Sequence, residues 1–149
     1  MAMWDLSDLF PSPEAWQDEY VRAKADAELL ASYKGTLGLS ARAMLDALDA
    51  ISRLNKRASR LFVYASLKAD EDISIARNQE RKQQAGALST LIGERTAWLA
   101  PEILGLGESK VKAFVAEEKG LAERHNFFLD NTLRAGPHTL RSEEHTSEL

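Results

Sequence analysis

The residues best suited to catalysis in this chain are its three histidines, which are His125, His138 and His145. A zinc hydrolase of the HExxH type needs two histidines one helical turn apart with a glutamate between them, so that both rings and the base face one metal-bound water. None of the three begins such a motif. None follows a glutamate by three residues either, which is the spacing of carboxylate-bridged metal sites in helical bundles. The sequence therefore predicts no catalytic, cofactor-binding or metal-ligating residue.

His125 has two interpretations. It lies next to Phe127 and Phe128 and could act as a ligand or a base. We favour a half-buried packing residue, because that is far more often the role of a lone histidine on a helix. His138 is expected to lie in a turn.

Other catalytic motifs are also missing. The chain has no cysteine, which excludes a thiol nucleophile, a disulfide and a thiolate metal site. It has no GxSxG elbow and no GxGxxG or GxxxxGK phosphate loop. The GLG stretch at Gly105–Gly107 is too short to hold a phosphate. Nucleophilic and nucleotide chemistry are therefore not expected.

Four cations share one face of the second predicted helix: Arg53, Lys56, Arg57 and Arg60. Such a stripe could bind an anion, a nucleic acid backbone or an acidic partner. We favour a solvated face opposite the core, paired with acids on the first helix. The net charge of -4 also argues against a nucleic acid partner. Trp16 and Trp98 are expected in the core rather than as stacking platforms.

The composition is that of one folded domain. At 149 residues, 44% of them hydrophobic and 28% charged, the chain can bury a core without disulfides or metal. The N-terminus, MAMWDLSDLF, has neither the basic nor the apolar region of a secretory signal, and no apolar run could span a bilayer. We expect a soluble protein with no membrane association.

Helices must position these residues, because apolar residues recur at spacings of three and four. Ser12, Pro13 and Glu14 form a helix start, with a capping hydroxyl, a proline that needs no donor and a favourable carboxylate. That helix is expected to reach about Tyr33, after which Gly35 can adopt positive φ. The second helix begins after Ser40 and reaches at least Leu67. Its apolar stripe consists of Met44, Leu48, Ile51, Leu54, Ala58, Leu61, Phe62 and Ala65.

The second half of the chain continues the pattern. A turn is expected at Asp70–Asp72, followed by a third helix that Pro101 stops. In that helix Gly86 and Gly93 either weaken the structure or mark close helix contacts. A short helix over 108–116 and a last one through Leu121, Phe127, Phe128, Leu129 and Leu133 complete the chain. The predicted fold class is all-α, with antiparallel helical hairpins in a bundle of about five helices.

Four stretches, in this order, resemble the oligoendopeptidase F group of the thimet-oligopeptidase-like zinc metallopeptidases. They are WDLSDLFPSPEAW at 4–16, LFVYASLKADED at 61–72, WLAPEILGLGESKVKAFV at 98–115 and GPHTL at 136–140. The resemblance covers 4–140, and no stretch is itself a catalytic signature. It identifies the chain as the N-terminal helical region of such an enzyme.

The resemblance implies a cytoplasmic zinc enzyme that cleaves oligopeptides with an HExxH motif downstream of this segment. The N-terminal helical region of that family helps to wall the substrate channel, and it contributes no metal ligand or base. The resemblance therefore implies an inactive piece whose partner is the missing C-terminal catalytic domain. Zinc and oligopeptide substrates belong to the parent enzyme.

The tail RSEEHTSEL, Arg141–Leu149, has a different character. The codons AGA TCG GAA GAG CAC ACG TCT GAA CTC encode this tail, and that nucleotide string resembles the start of a common short-read sequencing adapter. The alternative is a genuine polar helix start after GPHTL. We expect residues 1–140 to be an N-terminal piece of a longer gene, and 141–149 to be a non-native tail without regular structure.

Two functional classes therefore remain. The first is a channel-forming piece of a zinc oligopeptidase, with an exposed apolar strip where the missing part packs. The second is a free-standing helical interaction module with a polar surface that unfolds cooperatively.

Overall fold

A computed structural model describes residues 6–136 of the chain, and within that range it contains helices and no strand. The predicted all-α class is confirmed. A 3-10 turn at Leu6–Asp8 precedes five α-helices, and 3-10 helix Leu30–Tyr33 follows the first of them. The helices are α1 Pro13–Leu29, α2 Ala41–Glu71, α3 Ala76–Arg95, α4 Leu99–Leu106 and α5 Glu108–Glu117. A final helical stretch over residues 119–136 contains a π-helical segment, Leu121–His125.

The chain forms two compact units. Among the described residues, the first consists of 6–31 and 50–96, and the second of 32–49 and 97–136. Helix α2 supplies residues to both, because its first nine residues belong to the second unit and the rest to the first.

In the first unit, α1 begins as the sequence predicts. The Ser12 hydroxyl accepts a hydrogen bond from the Ala15 N–H, and Pro13 occupies the first turn. Trp16 is fully buried and donates its Nε1–H to the Leu61 carbonyl at 2.9 Å, while Tyr20 stacks on its ring. These contacts fix α1 against α2, so the expectation that Trp16 belongs to the core is confirmed.

The α2–α3 connection begins later than expected. Asp70 and Glu71 are still helical, and the turn starts at Asp72, whose Oδ1 accepts from both the N–H and the hydroxyl of Ser74. Buried Asn78 donates to the Lys68 carbonyl at 3.0 Å and so ties the start of α3 to the end of α2. The carboxylate of Asp72 therefore organises the turn between α2 and α3.

The predicted end of the third helix is wrong. Helix α3 stops at Arg95, and Pro101 lies in the first turn of α4. Proline is tolerated there because the first N–H groups of a helix have no intrahelical partner. Trp98, the N-cap of α4, is half-buried rather than in the core.

The two glycines of α3 do not mark close helix contacts, so that interpretation is also wrong. A Cβ built on Gly86 or Gly93 meets nothing within 4 Å. The remaining explanation is local weakening of the helix, because glycine loses more backbone entropy on folding than alanine.

In the second unit, a turn leads into α2. Gly35 adopts a φ of 85°, which favours glycine, and Ser40 Oγ accepts from the Ala43 N–H at 2.9 Å. The positive φ of Gly35 agrees with the turn predicted after the first helix, and the Ser40 cap agrees with the predicted start of the second. The core of this unit is built from fully or almost fully buried aliphatic side chains, including Leu37, Met44, Leu45, Leu48, Ile103, Val111, Leu121 and Leu129.

Candidate functional site

The most concentrated polar cluster lies in the second unit, around Asp49. Arg124 donates to both carboxylate oxygens through Nε at 3.1 Å and Nη2 at 2.9 Å. His125 Nε2 lies 2.6 Å from Asp49 Oδ1, and the His125 side chain is 8% exposed. The Arg124 hydrogen bond holds the pKa of Asp49 down at about 2, below its ordinary value of 3.8.

This cluster has the form of a structural anchor. Both basic residues come from the end of the π-helical segment Leu121–His125, where the extra residue in the turn brings consecutive side chains toward one carboxylate. His125 is buried and has the Asp49 carboxylate as its partner, so it holds the final helical stretch to α2. It lies deeper than the half-buried position that the sequence predicts.

A second carboxylate in this unit stabilises the turn before α2. Glu102, in the first turn of α4, accepts the Gly35 N–H at 2.6 Å and the Leu37 N–H at 3.1 Å. Neither this pair nor the Asp49 cluster could be found from the sequence, because the partners lie 65 or more residues apart.

The four cations of the α2 stripe have different surroundings. Arg57 donates to Glu19 Oε1 and Asp26 Oδ2, both at 2.6 Å, so it is paired with acids of α1 as expected. Arg60 is exposed and lies over the Phe10 ring at 5.9 Å, while Arg53 and Lys56 are exposed. Arg57 is thus paired with acids and the other three cations are exposed, which supports the interpretation of the stripe as a solvated face.

One small pocket opens between α5 and the final helical stretch. Its volume is about 70 Å³, and it is lined by Val111, Lys112, Val115, Asn126, Leu129, Asp130 and Leu133. Ligand pockets for small molecules usually have volumes of about 300–1,000 Å³. The pocket is therefore too small to hold an oligopeptide.

Within residues 6–136, no group of three or more His, Asp or Glu side chains is arranged to hold a metal ion. In the same range, no helix is both long enough and apolar enough to cross a membrane. His138, His145, GPHTL beyond Gly136 and the 141–149 tail lie outside the described residues, as does the start of the first resembling stretch.

Several large apolar side chains are exposed, and no local sequence pattern indicates which ones. Phe62, assigned above to the buried stripe of α2, is 41% exposed, and its neighbour Val63 is 45% exposed. Ile73 is 76% exposed in the α2–α3 turn, and Phe127 is 81% exposed on the final stretch. The assignment of Phe62 to the core was wrong because a spacing of three and four residues does not separate the centre of an apolar stripe from its edge.

No family model matches the chain. Among curated proteins, it is 34% identical over 141 residues to Oligopeptidase PepF of Bacillus subtilis (strain 168), which is 95% of this chain and 21% of that protein. It is 30% identical over 141 residues to Group B oligopeptidase PepB of Streptococcus agalactiae serotype III (strain NEM316), which is 95% of this chain and 23% of that protein. The chain thus spans about a fifth of the length of these relatives.

A solved structure has a similar fold. The crystal structure of oligoendopeptidase-F from Enterococcus faecium superposes with a TM-score of 0.70 at 24% identity, covering 83% of this chain and 27% of the other. The order of the resembling stretches, the all-α fold and the similarity to both relatives agree. Over the segment that it shares with them, the chain is a homologue of these oligopeptidases, and its fold is that of the matching part of the oligoendopeptidase-F structure.

Proposed function

We propose that the chain is the N-terminal, substrate-channel-forming part of a zinc metalloendopeptidase that hydrolyses oligopeptides. The observation that carries the proposal is the 34% identity to Oligopeptidase PepF over 95% of this chain but only 21% of that protein. The segment contributes helical structure, and the peptide-cleaving groups belong to the remainder of the enzyme, which is its partner. The complete protein is assigned to the cytoplasm on the same resemblance.

Residues 6–136 do not offer a set of side chains that fits a zinc ion. His125, the histidine among residues 6–136, already has Asp49 as its partner, and no cluster of three potential ligands surrounds it. We therefore assign no metal ligand and no catalytic step to this segment. Residues 1–140 are proposed to be the native part of the chain, and residues 141–149 to be an adapter-derived tail.

The channel role is supported by exposed apolar surface. Large apolar side chains such as Phe62 and Phe127 face solvent, as expected for a piece that further polypeptide covers. The pocket of about 70 Å³ between α5 and the final helical stretch cannot enclose an oligopeptide, so that pocket is not itself the substrate site.

The test is an assay of the complete polypeptide encoded by the source gene. We expect it to cleave short unfolded peptides, to lose this activity on chelation and to regain it with zinc, whereas the 149-residue chain cleaves none. A complete polypeptide that is folded but inactive toward a panel of oligopeptides would overturn the proposal. A monodisperse 149-residue product that unfolds cooperatively, from a gene that encodes nothing further, would favour a free-standing helical interaction module instead.

A further inference from the structure

One side of α2 in the first unit carries no charge from Asn55 to Ser66, and Asp70 follows one turn later. Asn55, Ser59, Phe62 and Ser66 follow one another at i, i+4, i+7 and i+11, which places them on one face of the helix. Val63 adjoins them, and we call these five residues the α2 outer face. Elsewhere the helix surface carries the cations Arg53, Lys56, Arg57 and Arg60.

The composition of the α2 outer face is unusual for a helix in contact with water. Solvent faces of amphipathic helices are normally rich in charged residues. Here Phe62 and Val63 are 41% and 45% exposed, and the serines on either side of Phe62 leave room for another element to approach closely. The face therefore has the size pattern of a helix-packing surface, with a large side chain between small ones.

From these observations we infer that the α2 outer face is the surface on which the rest of the peptidase chain docks, through an apolar element that covers Phe62 and Val63. This inference rests on the proposed function. The occupant is the remaining four-fifths of the polypeptide, because the relatives extend far beyond the 21% and 23% of their lengths that this chain matches.

The test uses a thiol introduced into a chain that has no cysteine of its own. Ser59→Cys places it on the α2 outer face, and Ser89→Cys places a matched thiol at another exposed helical serine, on α3 of the same unit. Serine and cysteine have nearly the same shape, so both variants are expected to fold. The labelling rate with a maleimide is followed by mass spectrometry of the peptide that carries the thiol.

In the 149-residue chain, both thiols are expected to react rapidly. In the complete polypeptide encoded by the source gene, the Ser59→Cys thiol should react at least about tenfold more slowly, while the Ser89→Cys thiol keeps its rate. An active complete polypeptide in which Ser59→Cys still reacts rapidly would overturn the docking surface and leave the proposed function standing. An inactive one, or a gene that ends after Leu149, would overturn the proposed function and this inference with it.

Discussion

Asp49 is the residue on which the polar structure of the second unit converges. Its carboxylate accepts two hydrogen bonds from Arg124 and lies 2.6 Å from His125 Nε2. Charge-assisted, two-point pairing of this kind is among the stronger polar interactions in proteins. The ionised Asp49 side chain therefore helps to hold the final helical stretch, together with buried Leu121 and Leu129.

The pKa of Asp49 predicts a loss of stability in acid. Folding lowers this pKa from 3.8 to about 2, mainly through the Arg124 hydrogen bond. Because the folded pKa is the lower one, the stabilisation is fully present above the unfolded pKa and is lost as the pH falls from there through the folded value. At most about 2 kcal/mol should disappear over this range. Urea unfolding from pH 5 to pH 2 measures it.

The Asp49→Asn substitution removes the carboxylate and with it this pH dependence of the free energy of unfolding. The difference in that free energy between the wild type and the variant should therefore shrink as the solution becomes acidic. Asp46→Asn is the matched control, because Asp46 lies on the same helix, is 54% exposed and pairs with exposed Arg42. The Asp46→Asn substitution should lower the free energy of unfolding by less than about 0.5 kcal/mol at neutral pH. A constant difference between wild type and Asp49→Asn from pH 5 to pH 2 would contradict the assignment.

Glu102 gives a second prediction for a single residue. Glu102→Ala leaves the Gly35 and Leu37 N–H groups without their carboxylate, and we expect a loss of about 1–2 kcal/mol in the free energy of unfolding. Glu102→Gln should lose less, because its one amide oxygen can still accept. Glu108→Ala is the control, since Glu108 also lies in the first turn of a helix but is 65% exposed and pairs with Lys112. Equal losses for Glu102→Ala and Glu108→Ala would show that the turn does not need this carboxylate.

Among the elements, α3 is the helix that the sequence itself weakens. Gly86→Ala and Gly93→Ala should each raise the free energy of unfolding by about 0.5–1 kcal/mol, because the added Cβ meets nothing and the unfolded chain loses freedom. Gly120→Ala is the opposite case, with a Cβ 2.8 Å from the Leu45 Cδ2 atom. That variant should be destabilised. Chemical denaturation of the three variants checks the signs, and stabilisation by Gly120→Ala or a loss with Gly86→Ala would contradict the packing described.

Local signals predicted most of the helices. The capping serine and the proline at the start of α1, and the positive φ of Gly35, depend on neighbours in sequence, so they could be read without a structure. The end of α3 was predicted wrongly from Pro101, because proline is equally compatible with the end of one helix and the first turn of the next. The partners of Asp49 and Glu102 depend on tertiary packing, which no local pattern encodes. The exposure of Phe62 depends on which elements surround α2, and its position in an apolar stripe gives no information about that.

At the scale of the whole molecule, the described part has a packed interior and an incompletely covered surface. Trp16, Leu61 and Tyr64 are almost fully buried, while Phe62 beside them and Phe127 in the other unit face solvent. A segment taken from a larger enzyme is expected to have both properties, because its own core is complete and its docking surfaces are open.

The isolated 149-residue chain should therefore be helical and catalytically inert. We expect a helical circular dichroism spectrum and no hydrolysis of oligopeptides with or without added zinc, because residues 6–136 provide no cluster of metal ligands. Cleavage by the pure chain that a chelator abolishes would contradict this expectation. The Bacillus subtilis relative serves as the positive control for the assay.

The most direct measurement is a long read of the source DNA across the codons for Leu140 and Arg141. We expect the reading frame to continue past Leu140 for several hundred codons, to include HExxH and to lack RSEEHTSEL. A read in which RSEEHTSEL is encoded and followed by a stop codon would contradict the assignment of this chain as part of a zinc oligopeptidase.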